Sequence, residues 1–191
     1  AADCVNLGLG QPTDPIPGIG RDLGTDAERA WKNVILPTSD SRGPLVFAIA
    51  HLSDPNSLPL VAPSVARETA FVALDHVVVQ TRDAEATRAF YGEKLGLRLA
   101  LDRTFENRGV RLMFFRVGGV TVEVASRVEQ ARDAAAPDRL WGLAWQVPDA
   151  DAARARLADA GVAVSAVRAG HKAGTRVLTV AMPYRTQCPP P

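Results

Sequence analysis

The stretch LDHVVVQTRDAEATRAFYGEKLGLRLA, residues 74–100, decides the fold. It opens with LDHVVVQT, a short run whose consecutive valines are typical of a β-strand. Asp83 then precedes an alanine-rich segment, where its carboxylate can accept hydrogen bonds from the free N–H groups of a first helical turn. Gly96 suits the left-handed position that ends a helix, and a further apolar run follows it. The stretch therefore predicts a strand, a helix and a second strand.

The same order of signals recurs later in the chain. DAEATRAF at 83–90 corresponds to DADAARAR at 149–156, an offset of 66 residues. The second copy is preceded by another strand-like run, LWGLAWQV, and is followed by Gly161 and an apolar run. Because strand, helix start and glycine recur together, the pattern indicates an internal duplication rather than a chance likeness between alanine-rich helices.

The first unit continues with two more predicted strands. VRLMFFRV at 110–117 is rich in β-branched and aromatic residues, Gly118-Gly119 is a hairpin signal, and GVTVEVAS alternates with period two. This completes a βαβββ unit. The second unit offers VAVSAV and TRVLTV, but its fourth strand would fall in AMPYRTQCPPP at 181–191, where prolines lack the N–H groups of a ladder. The second unit is therefore predicted to lack its last strand.

These signals give an α+β organisation with two paired βαβββ modules. Module one is placed at 73–127, module two at 139–181 and an irregular tail at 182–191, all within a domain at 71–191. Residues 1–70 hold one hairpin-like stretch, AWKNVILP and GPLVFAIAHL, between turn-rich segments such as LGQPTDPIPGIG at 9–20. We interpret residues 1–70 as the trailing part of a preceding, similar module plus a linker. The chain does not begin with Met, which favours a fragment of a longer protein.

Composition excludes several classes of partner. The net charge is +1 and no apolar run approaches the roughly 20 residues that span a bilayer, so neither nucleic acid nor membrane is expected. The two cysteines, Cys4 and Cys188, lie near opposite ends. They form neither a disulfide framework nor a clustered zinc motif, so we expect a reducing, cytoplasmic compartment.

Alternation assigns the strand side chains to two faces. In the first strand His76, Val78 and Gln80 share one face, and in the last strand of the first unit Thr121 and Glu123 share one face. The opposite faces carry valines that can pack against the helix. The helix-free side of the sheet is therefore predicted to present an imidazole and a carboxylate.

With these residues in view, the stretch at 74–100 resembles the opening of a vicinal oxygen chelate module, and GGVTVEVAS resembles its closing strand. This superfamily includes glyoxalases, bleomycin-resistance proteins and extradiol dioxygenases. The resemblance implies that two modules pair so that their curved mixed sheet forms a cup. It also implies a divalent metal (Zn, Ni, Mn or Fe) held by a first-strand His and a last-strand Glu of each module. His76 and Glu123 match those ligand positions, and Glu123 is also the candidate for assisting proton transfer.

The second module departs from the family pattern. The offset from His76 lands on Gly142, and the last-strand Glu would lie within AMPYRTQC, so two of the four expected ligands are absent. A third ligand is left open between His171, a partner subunit in a homodimer, and the substrate itself. Gln80, His171 and Lys172 are the candidate substrate contacts. For His171 and Lys172, which lie in AGHKAGT, a solvated loop is the competing interpretation.

Three functions remain open at this point. The first is a metal-dependent lyase, isomerase or dioxygenase acting on a small molecule with vicinal oxygens. The second is a metal-free protein that sequesters a small molecule, as the bleomycin-resistance branch of the family does. The third is an inactive fragment.

Overall fold

The computed structural model describes residues 9–54, 64–130, 132–170 and 173–181. Within this part of the chain, strands alternate with two α-helices and a few short 3-10 or π turns. The strands are β1 Ile16–Arg21, β2 Glu28–Ile35, β3 Phe47–His51, β4 Ala73–Gln80, β5 Arg98–Phe105, β6 Val110–Val117, β7 Val120–Arg127, β8 Arg139–Gln146, β9 Arg168–Ala169 and β10 Arg176–Val177. The helices are α1 Ala84–Arg88, which continues into a π-helical turn at Ala89–Lys94, and α2 Ala150–Asp159.

The described residues fall into two compact units. One comprises those of Ala1–Val61 and Asp75–Ala144, and the other those of Ala62–Leu74 and Trp145–Pro191. The first compact unit contains the N-terminal sheet together with most of module one. The second compact unit contains α2 and the short strands after it. The domain boundaries expected from the sequence stay a prediction.

The main sheet is mixed and curved, which gives the α+β class expected from the sequence. Its five strands lie in the order β5-β6-β7-β4-β8. β4 runs parallel to β7, while β5, β6 and β7 form an antiparallel meander. A parallel pair needs a long crossover connection, and here α1 and the meander supply it between β4 and β7. The first βαβββ module is therefore complete.

The two modules begin at equivalent positions. β4 and β8 have bounds separated by the same 66-residue offset, and α1 and α2 start at Ala84 and Ala150. Asp83 and Asp149 both cap their helices, since the side chain of each accepts from backbone N–H groups of the first turn. Gly96 and Gly161 both adopt positive φ, at 68° and 76°. The duplication inferred from the sequence is confirmed at the level of strand, cap and glycine.

Module one has a well-packed core between its sheet and its helix. Met113 and Phe115 of β6 and Val124 of β7 are fully buried and pack with Val79 and Phe90. These residues alternate with the ones that point to the other side of the sheet, as period-two patterning requires. Leu36, which follows β2, joins the same cluster, so the N-terminal segment helps to cover this core.

Module two is much less regular beyond its helix. The runs VAVSAV and TRVLTV were expected to form full strands, but β9 and β10 are two residues long and pair with each other, and VAVSAV itself contributes only an isolated bridge between Val164 and Val180. In α2, Ala153 and Leu157 are the buried side chains. No fourth strand of module two occurs among residues 132–170 and 173–181, and the predicted tail at 182–191 lies outside the described residues.

The N-terminal sheet contains one strand that the sequence did not predict. The expected hairpin is present as β2 and β3, but β1 forms within LGQPTDPIPGIG, which was interpreted as a loop. β1 is an edge strand, and an edge strand tolerates Pro17 because the missing N–H removes no bond from a central ladder. A side chain at Gly18 would collide with the ring of Trp31 on β2. The indole ring therefore requires glycine at position 18, whereas the edge position merely permits proline at position 17.

Among the described residues, no helix has the length and apolar character needed to cross a membrane.

Candidate functional site

The side of the main sheet opposite the core carries the candidate functional residues, and we call it the site face. It is defined by His76, Val78 and Gln80 of β4, with Thr121 and Glu123 of β7 and Phe114 and Arg116 of β6. Parallel register pairs His76 with Thr121 and Val78 with Glu123, so the imidazole and the carboxylate project from adjacent strands on one side. The predicted sharing of a face by His76 and Glu123 is therefore observed in the structure.

His76 lies between two carboxylates. Its Nδ1 is 2.8 Å from Oδ1 of Asp75, and its Nε2 is 3.5 Å from Oε2 of Glu123. Its side chain is 29% exposed and that of Glu123 is 18% exposed, so the pair is half-buried but accessible. Asp75 was not predicted, because strand alternation places it on the other face from His76. Its short side chain nevertheless reaches around the strand to the near side of the imidazole.

The Asp75 contact decides which atom of His76 faces Glu123. An ionised carboxylate only accepts hydrogen bonds, so Nδ1 carries the proton and donates to Asp75. In neutral His76, Nε2 then offers a lone pair toward an oxygen that also offers lone pairs. Two such acceptor atoms attract each other only through a proton or a cation between them. In metal-binding histidines, the ring nitrogen that does not bind the metal commonly donates its N–H to a carboxylate, as Nδ1 of His76 does to Asp75.

The neighbours of this pair form rows across the site face. Glu123 lies directly opposite Phe114, which in turn lies opposite Leu101 of β5. Alternation along β6 puts Phe115 in the core and turns Phe114 to the site face. Gln80, a predicted substrate contact, pairs with Ala125 one row further along the same face. Beside the polar pair, the site face therefore presents the apolar side chains of Phe114 and Leu101.

Gly142 lies in β8 at the position that the repeat assigns to the equivalent of His76. A Cβ built on Gly142 would meet no atom within 4 Å, so the structure leaves room for a side chain there. Over the described ranges 9–54, 64–130, 132–170 and 173–181, no group of three or more His, Cys, Asp or Glu residues could hold a metal ion. The predicted contacts His171 and Lys172 lie outside the described residues.

A buried polar network fixes the far end of β4 and the start of α1. Thr87 donates to Oδ2 of Asp138 at 2.7 Å, and the hydroxyls of Thr81 and Thr87 are 2.8 Å apart. Oδ2 of Asp83 accepts a hydrogen bond from Nε of Arg132 at 2.9 Å. Burial raises the pKa of Asp83, but its bonds to Arg132 and to the Ala86 N–H outweigh this, and the pKa lies below its ordinary value.

Asp138 was missed because it lies in the short segment between module one and module two, to which the sequence assigned no element. Its side chain is only 1% exposed and lies 3.5 Å from Nε of Arg42 in the N-terminal segment. Composition gives no signal that a linker aspartate is buried, because the partners lie far away in the chain. This network supports the strand that carries His76.

Several solved structures are similar to part of this chain at low sequence identity. Methylmalonyl-CoA epimerase from Mycobacterium tuberculosis is 23% identical with a TM-score of 0.49, over 61% of this chain and 83% of that chain. A Streptomyces coelicolor methylmalonyl-CoA epimerase variant in complex with 2-nitronate-propionyl-CoA is 22% identical with a TM-score of 0.48, over 59% and 89%. A hypothetical protein from Bacillus halodurans C-125 is 18% identical with a TM-score of 0.47, over 57% and 83%.

The family comparison is more decisive than these distant structures. No curated protein matches the chain. The family model described as the Glyoxalase/Bleomycin resistance protein/Dioxygenase superfamily matches residues 75–179, which is more than half of the chain. The matched stretch begins in β4 at Asp75 and runs through both modules to the bridge that closes the second. The chain belongs to the glyoxalase/bleomycin resistance protein/dioxygenase superfamily.

Proposed function

We propose that the site face binds a small molecule with two vicinal oxygens, together with a divalent cation held by His76 and Glu123. One observation carries this proposal. Asp75 occupies Nδ1 of His76, and the remaining nitrogen lies 3.5 Å from a Glu123 oxygen on the accessible side of the sheet.

The donor atoms suit such a cation. Imidazole nitrogen and carboxylate oxygen are ligands shared by Zn²⁺, Ni²⁺, Mn²⁺ and Fe²⁺. Two donors at about 2.1 Å from one tetrahedral ion stand about 3.4 Å apart, close to the separation of Nε2 and Oε2. Two protein donors are nevertheless fewer than the three usual in catalytic zinc sites. The bound molecule would therefore supply the remaining donors.

The chain's own residues give the site a chemical role. Asp75 orients the His76 ring, and Phe114 with Val78 provides apolar surface beside the polar pair. Glu123 is placed to accept a proton from a bound molecule, as a lyase, isomerase or dioxygenase of this superfamily would require. The cation, when bound, would act as a Lewis acid on the oxygens of the ligand. Gln80, His171 and Lys172 are proposed as further ligand contacts, and a homodimer as one source of a third protein donor.

Metal-free sequestration is the second candidate function. It is favoured by the lack of any three-donor group in the part of the chain that the structure describes, and by Gly142 in place of a ligand. Leu101, Val78 and Phe114 give the site face the apolar lining that a small-molecule pocket needs. In this case Asp75, His76 and Glu123 would orient the ligand by hydrogen bonding alone.

Calorimetric titration of the metal-free chain with Ni²⁺ and Zn²⁺ tests the proposal. We expect weak binding, reduced at least about tenfold in both His76→Ala and Glu123→Gln, because each removes one of two donors. His51→Ala is the matched control, since His51 is an exposed strand histidine of the N-terminal sheet. Binding that His51→Ala weakens as much as His76→Ala would contradict the proposal. No binding at all would favour metal-free sequestration.

A further inference from the structure

The two arginines of β6 have contrasting surroundings. Arg111 projects to the core side, where it forms a two-bond ion pair with Asp102 and a bond to Glu85. These bonds raise the pKa of Arg111. Arg116 projects to the site face and donates from Nη1 to the hydroxyl of Thr121 at 2.7 Å. None of the ion pairs recorded among the described residues includes Arg116, whose side chain is exposed.

A second arginine lies directly across from Arg116. The β5–β6 register pairs Arg98 with Arg116, so both side chains leave the sheet on the same face. Like charges directly opposite each other on neighbouring strands destabilise a sheet. Arg98 is also exposed and is likewise missing from the ion pairs recorded among the described residues. An anion bound at Arg116 would reduce this repulsion.

The arginine pair belongs to the same row as the candidate site. Register places Arg116 opposite Thr121, and Thr121 opposite His76. The bond to Thr121 draws the Arg116 guanidinium over β7, the strand next to the one that carries His76. Adjacent strands lie about 4.8 Å apart. A group bound by Arg116 would therefore lie on the order of one strand spacing from His76.

We infer that the ligand of the site face is a small acid with two separated polar ends. Its vicinal oxygens occupy the His76–Glu123 pair, and a second, anionic group occupies Arg116 with support from Arg98. This inference rests on the proposed function and narrows it to a substrate class, because a neutral ligand would leave two facing cations unpaired. Arginine is well suited to this role, since its planar fork binds carboxylate and phosphate groups through two parallel bonds.

Two probes of equal chain length test the anionic group. 2-Oxoglutarate and 2-oxopentanoate share vicinal oxygens at one end, and they differ in a carboxylate or a methyl group at the other. Titrated into the full chain with Ni²⁺ present, 2-oxoglutarate is expected to bind at least about tenfold more tightly, as one charge-assisted pair would give. Arg116→Gln should reduce that preference to within about twofold. Arg21→Gln, which removes the same charge from an exposed position on β1, should leave it intact.

The outcomes separate this inference from the proposed function. Equal binding of the two acids that still depends on His76 and Glu123 overturns the inference and leaves the proposed function standing. A preference that Arg21→Gln abolishes as fully as Arg116→Gln reflects net charge alone and also overturns it. A preference lost in Arg116→Gln but unaffected by His76→Ala supports the anion site and contradicts the proposed function. Failure of both acids to bind overturns the inference, whereas the proposed function is decided separately by the Ni²⁺ and Zn²⁺ titrations. Circular dichroism and thermal melting establish that each variant is folded.

Discussion

Module one and module two start alike and end differently. Both have an eight-residue first strand, an aspartate cap and a glycine that ends the helical segment. Module one then adds a three-stranded meander and buries Met113 and Phe115 completely. Module two adds two-residue strands, and its first strand leaves Trp141 and Trp145 about half exposed. Local signals thus specify the start of a module, whereas its core depends on the strands that follow.

Removing the largest buried ring of module one should have the largest effect. Phe115→Ala is expected to lower the free energy of unfolding by about 3–5 kcal/mol, because it opens a cavity among residues that cannot collapse freely. Trp141→Ala, at a position that is 59% exposed, should change it by about 0.5 kcal/mol or less. Urea denaturation measures both. Similar losses in the two variants would mean that the modules are equally packed.

A buried side chain of module two should matter less. Leu157 is 8% exposed on α2, and Leu157→Ala should cost about 2 kcal/mol, near the low end for such truncations, since its loosely built surroundings can relax. Leu140→Ala, at an exposed position of β8, is the control. Hydrogen exchange should show faster opening of α2 amides than of β7 amides. Equal acceleration in β7 would show instead that both modules open as one cooperative unit.

Adding a metal-binding side chain at Gly142 should make module two contribute to the candidate site. Gly142→His is expected to raise Ni²⁺ affinity about tenfold, or about 1.4 kcal/mol, by adding a third donor where the structure leaves open space. Adding His76→Ala should abolish the gain, because the two residues would share one ion. Calorimetric titration of the single and double variants measures this. A gain that survives the loss of His76 would refute the positional equivalence.

The smallest expected effect concerns a feature that the modules share. Asp149→Ala removes the acceptor for the N–H groups of Asp151 and Ala152 and should cost about 1 kcal/mol. Asp159→Ala, at the last residue of α2, removes a similar carboxylate without a capping role. Thermal unfolding monitored by circular dichroism compares them. If the two variants melted alike, the cap would contribute nothing measurable to module two.

The sequence was sufficient for the parts of the fold that short-range patterns control. The 66-residue repeat predicted β4, β8 and both caps, and strand alternation predicted that His76 and Glu123 share one side of the sheet. It did not predict Asp75 as the partner of His76, because alternation describes where a Cβ points and not how far a short side chain reaches. It also missed the buried Asp138, whose partners Arg42 and Thr87 are distant in sequence. β1 was missed because edge strands accept the residues that usually mark loops.

The burial of Tyr91 limits the alkaline range in which module one is stable. Its ring lies against Phe90 and Phe115, and burial first, then the negative charge of Asp138, raises its pKa to about 12. An unfolded tyrosine ionises near pH 10, so only the folded chain retains the phenolic proton between these values. The contribution to stability is therefore complete below about pH 10 and is lost as the pH rises through about 12. In a Tyr184→Phe variant, where Tyr91 is the sole tyrosine, tyrosinate absorbance would then appear together with the unfolding of module one, and its appearance near pH 10 in a folded chain would contradict the buried position of the ring.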